Sequence, residues 1–133
     1  MLFRSTPDAK LSWAAALKLL LVSHGDLKSE DATGADWSKN TIAKAAELGL
    51  VAADLDGAKD ISRLEFCQVA AKLNKLAESK TESKFTDCAD GYVMALVDAK
   101  VISGMTETTF EPAASLTRAQ IAKILYQLNL IEK

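Results

Sequence analysis

Apolar positions recur at helical spacing in five stretches of the chain. The first, about residues 12–23, puts Ala14, Leu17, Leu20 and Leu21 on one face; the polar stretch 24–36 interrupts it. The second, about 37–48, carries Ile42, Ala45 and Ala46, with Gly49 closing it. The third, about 63–79, shows Phe66, Val69, Ala70, Leu73 and Ala77, the i, i+3, i+4, i+7, i+11 pattern of an amphipathic helix. A polar linker at 80–84 leads to a fourth stretch, about 90–101. The fifth, about 118–130, turns Ile121, Ile124, Leu125 and Leu128 inward. No useful strand-like alternation appears, so the pattern predicts an all-α fold of about five helices.

The helix starts repeat. Ser62-Arg63-Leu64-Glu65 forms a capping box: the Ser hydroxyl accepts from the Glu65 amide while the Glu carboxylate reaches back. Ile61 and Phe66 flank it as a hydrophobic staple. Thr117-Arg118-Ala119-Gln120 repeats the device with Leu116 and Ile121. Ser12 keeps the cap and the apolar Leu11 but has Ala15 where the box needs Glu or Gln. Pro7 precedes Leu11 by four residues, as Pro112 precedes Leu116. Asp36-Trp37 with Ile42, Ala46, Leu50 and Val51 aligns with Asp87-Cys88 followed by Val93, Val97, Val101 and Ile102. A helix, a loop and a capped helix thus occur twice, 51 to 55 residues apart, after a lone capped helix. Units of this length bury their faces against one another.

Composition narrows the function. The 133 residues suit one domain, and 16 Lys+Arg against 18 Asp+Glu give a net charge of −2, without the basic excess of a nucleic-acid binder. No run of 18 apolar residues exists, which argues against membrane insertion. The apolar run 11–22 contains Lys18 and no small-residue cleavage site follows it. The expectation is therefore no signal peptide: either export by that route is absent, or a signal was removed beforehand. Cys67 and Cys88 are read as thiols packed in the interior, with a single bridge as the alternative. One His excludes most acid–base and triad schemes, and no glycine-rich phosphate loop is present. The protein is expected not to be an enzyme and to need no cofactor.

Val101-Ile102-Ser103-Gly104-Met105, Phe110-Glu111-Pro112 and Leu116-Thr117-Arg118-Ala119-Gln120 resemble the I-S-G…F-x-P…I-T-R-A-E signature of the S-layer homology (SLH) family. Phe85-Thr86-Asp87 resembles the F-x-D that opens a motif. Ile61 to Phe66 with Trp37 is similar to a second, shortened motif, and Leu11 to Leu21 to the second helix of a motif lacking its first. The resemblance implies one domain over 1–133, with a motif remnant at 1–25, a second motif at 36–79 and a third at 85–130. It implies a pseudo-threefold helical bundle whose grooves bind anionic, often pyruvylated, cell-wall polysaccharide at the bacterial surface. It further implies a ligand-binding set of Arg63, Arg118, Trp37, Gly104 and Asp87. Trp13 stands where the first motif's Arg belongs, and Cys88 lies near the third motif's Trp position. The alternative reading is a structural protein-interaction subunit of a larger assembly, such as a phage virion.

Several side chains carry a chemical reading of their own. Arg63 and Arg118 occupy the same first-turn position in two repeats, where a cation opposes the helix dipole. An Arg fork there suits carboxylate or phosphate recognition. Asp54, Asp56, Asp60 and Glu65 fall at calcium-loop spacing, but Ala58 replaces a ligand and Lys59 the turn glycine, so no metal is expected. Trp13 and Trp37 read as partly buried packing residues, and His24 as a cation at a helix C-terminus.

Overall fold

The computed structural model describes residues 10–28, 30, 33–103 and 108–130. Its five α-helices are α1 (Trp13–His24), α2 (Trp37–Glu47), α3 (Arg63–Leu73), α4 (Gly91–Asp98) and α5 (Arg118–Asn129). The fold is all-α, and the described residues hold no β-sheet. Helix α1 packs against α2 and α5, and α3 packs against α4. Leu17, Phe66 and Ile121, one from each capped helix, share a single buried cluster.

The local capping signals hold. Ser62 Oγ accepts from the Glu65 amide at 3.1 Å, while the Ser62 amide donates to Glu65 Oε1 at 3.0 Å. Thr117 and Gln120 form the same reciprocal pair at 3.2 and 2.9 Å. Ser12 accepts from Ala15 alone, at 3.2 Å. Replacing Ser62 or Thr117 by Ala is expected to cost about 1 kcal/mol each in urea denaturation, and Ser12→Ala less, because no reciprocal bond is lost with it. Equal losses at the three positions would contradict this.

What the caps do not satisfy, the neighbouring loops do. The Trp13 and Ala14 amides at the start of α1 donate to the Lys59 and Gly57 carbonyls, at 2.8 and 3.0 Å. The Arg63 and Leu64 amides at the start of α3 donate to Ala114 and Pro112, at 2.8 and 3.1 Å. Helix N-termini leave amides without intrahelical partners, and here each is met by the loop preceding another capped helix. Leu11 bridges both sides: its amide donates to Leu116 at 3.1 Å, and its carbonyl accepts from Ile61 at 3.2 Å. The helix-entry segments therefore meet at the centre of the bundle.

Two helices are shorter than their periodicity predicts. Helix α3 ends at Leu73, six residues before the expected Ser79. Asn74 caps the Ala70 carbonyl through its side chain, Lys75 takes φ 60°, and the Leu76 amide returns to Ala71 at 2.9 Å. This is a Schellman turn; Ala77, which extended the apolar pattern, is exposed. Helix α4 begins at Gly91 with Asp90 as its cap and stops at Asp98, where a similar turn at Lys100 brings Val101 into the core.

Candidate functional site

A cavity of about 460 Å³ opens between the start of α3, the end of α4 with its following loop, and one face of α5. Four cations line it: Arg63, Lys84, Lys100 and Lys123. Among the described residues no Asp or Glu contributes to the lining. Val97, Val101, Ile102 and Ile124 supply an apolar wall, while Ser103, Gln120 and Gln127 add neutral polar groups. Like charges gathered on low-dielectric walls reinforce one another's field, so the cavity is electrostatically suited to an anion.

Arg63 is the anchored member. It is only 8% exposed, although it occupies the first turn of α3. Its Nε donates to the Phe110 carbonyl at 2.8 Å, and its guanidinium carbon lies 4.7 Å from the centre of the Phe110 ring. Phe110 is fully buried and packs against Phe85, ring centres 5.5 Å apart. The guanidinium is buried although Arg63 opens a helix, because the loop entering α5 folds over it.

Asp87 supports the same loop from behind. Its two carboxylate oxygens accept the Phe110 and Glu111 amides, both at 2.9 Å, and Glu111 is held at φ 59°. These bonds, that from Phe110 foremost, draw the Asp87 pKa below its ordinary 3.8. A lowered folded-state pKa means that the stabilisation is complete above the ordinary value and disappears as pH falls through the lowered one. Asp87→Asn should therefore melt below wild type at pH 6, with the two curves converging as the pH is taken below 3.8. A constant separation across that range would refute the assignment.

The other sequence-derived residues lie elsewhere. Arg118 is exposed and is not part of the cavity lining. Trp37 opens α2 half-buried, with Lys18 Nζ 5.2 Å from its ring centre, and is likewise not in the lining. Gly104 lies outside the described residues. Cys67 is buried, which pushes its thiol up to about 12, and Cys88 is half-buried; both are free thiols. Glu65, read at sequence level as the last position of a calcium loop, holds the Ser62 amide.

Lys84, Lys100 and Lys123 were not singled out by sequence reasoning. Only Lys100 carried a usable signal, since it stands at the position held by Gly49 in the preceding repeat. No curated protein matches the chain in a sequence comparison. The family model of the S-layer homology domain, a family of non-catalytic cell-surface binding modules, matches residues 84–122, so this stretch of the chain is similar to that family.

Proposed function

We propose that the protein is a non-catalytic module that attaches to an anionic bacterial cell-surface or cell-wall glycan, and that the cationic cavity beside α3 and α5 is its binding site. The observation that carries this reading is the convergence of Arg63, Lys84, Lys100 and Lys123 on one cavity, with no acidic lining among the described residues. Most of that lining falls inside the stretch similar to the S-layer homology family. With Nε held by the Phe110 carbonyl, the terminal nitrogens of Arg63 are the part of the fork available to a ligand carboxylate. The apolar wall suits the hydrophobic face of a sugar ring or its ketal methyl. In this proposal residues 1–133 act as one domain of three motifs, and Arg118 and Trp37 serve grooves other than this one. Asp87 acts through the Phe110 loop.

The test is sedimentation of the purified protein with isolated cell-wall polymer, before and after removal of its acidic ketals. Intact polymer should retain the protein, and stripped polymer should not. Arg63→Lys keeps the charge but loses the planar fork, and should weaken binding on the order of tenfold. Retention that is indifferent to the ketals would sink the proposal.

A second reading is a protein-interaction subunit of a larger assembly, such as a phage particle. It is favoured by Tyr126 on α5 and Leu130 just past its end, 64% and 63% exposed. Absence of polymer binding by folded wild-type protein would move the balance to it.

A further inference from the structure

We propose that Lys100 is a ligand-contacting residue of the cavity, and that the cavity takes a group carrying at least two negative charges. This rests on the reading of the cavity as the binding site.

Four helix ends in the bundle close with the same turn. In each, an amide bonds to the carbonyl five residues earlier: Asp26 to Leu21, Leu50 to Ala45, Leu76 to Ala71 and Val101 to Leu96, all at 2.9 Å. The residue before each of these donors is left-handed: Gly25 at φ 94°, Gly49 at 78°, Lys75 at 60° and Lys100 at 64°. Glycine is the default there because it has no Cβ to clash. Gly49 and Lys100 are repeat equivalents, so the second repeat shows that this turn accepts glycine in this fold. The third repeat nevertheless carries a lysine.

A cation beside helix-terminal carbonyls is favourable, and that accounts for Lys75 and Lys100 alike. It does not account for where Lys100 lies. Both lysines are exposed, but Lys75 lines no part of the cavity, whereas Lys100 lines it together with Arg63, Lys84 and Lys123. Lys100 is thus placed against its backbone preference and against three like charges. The strain is shared with Lys75, so it is the position among three like charges that points to a ligand, and a bound anion removes that repulsion. Four cations facing a single carboxylate would leave most of their charge uncompensated; two or more anionic groups match them better.

Lys75 supplies an internal control. Lys75→Gly and Lys100→Gly remove the same charge and relieve the same strain, so both should raise Tm, by roughly 2–4 °C. Binding of isolated anionic cell-wall polymer and of tripolyphosphate is then measured by titration calorimetry for wild type and both variants, with Arg63→Lys alongside. Lys100→Gly should weaken binding on the order of tenfold, while Lys75→Gly should change it less than about twofold. Binding unchanged in Lys100→Gly while Arg63→Lys loses it would overturn the role of Lys100 and leave the site intact. Equal losses in the two glycine variants would reduce the effect to net charge and also overturn it. If wild type binds tripolyphosphate through Lys100 but not the polymer, the glycan reading fails and this inference stands. If wild type binds neither, both fail.

Discussion

Arg63→Ala is expected to destabilise the protein by about 2–4 kcal/mol, while Arg118→Ala should stay within about 0.5 kcal/mol of wild type. The two arginines occupy the same position in two repeats, so their sequence contexts forecast equal effects. Their surroundings do not. Removing the Arg63 side chain leaves the Phe110 carbonyl without its charged donor, a loss of about 1.5–3 kcal/mol. It also removes a cation stacked on an aromatic ring, worth about 0.5–1 kcal/mol, and the packing of a stem that is almost fully covered. Arg118 is exposed. Urea denaturation of the two variants checks the contrast, and comparable stabilities would contradict the packing described for Arg63. A practical consequence follows for binding assays: Arg63→Ala mixes loss of fold with loss of recognition, so Arg63→Lys is the cleaner probe.

Phe110→Ala should cost about 3–5 kcal/mol, the usual range for emptying a large aromatic from a core. Phe110 is fully buried between Phe85 and the Arg63 guanidinium, and its backbone amide is tied to Asp87. Its loss would open a void beneath the cavity and release the ring face on which Arg63 lies. Against a typical domain stability of about 5–15 kcal/mol, this leaves a much less stable module. Because Arg63 and Phe110 touch, their effects should not add; a double-mutant cycle should return a coupling of about 0.5–3 kcal/mol. Thermal unfolding with and without Tyr126→Ala serves as the comparison, since Tyr126 is 64% exposed and its removal should matter little. Strict additivity of Arg63→Ala and Phe110→Ala would mean that the stacked pair is energetically idle.

The helix starts and the all-α class were determined by the sequence alone, because their causes are local. A capping box spans four residues, and both complete boxes and the single cap at Ser12 stand where the residue order puts them. The signature of the final motif was equally legible, as short motifs are. Helix ends were less so: Ala77 continued the apolar period of α3, but Asn74 and the left-handed Lys75 ended the helix first. The periodicity measures which face is apolar, not whether the backbone continues. The cavity itself was decided only by the tertiary structure. Lys84 comes from the linker, Lys100 from the turn after α4, Lys123 from α5 and Arg63 from α3, so no window of sequence holds more than one of them in a recognisable pattern. The burial of Arg63 has the same origin. It depends on Phe110, 47 residues away, folding its carbonyl and ring over the start of α3. Local chemistry sets where a helix begins; only long-range packing sets which of two equivalent arginines becomes part of the core and which stays in water.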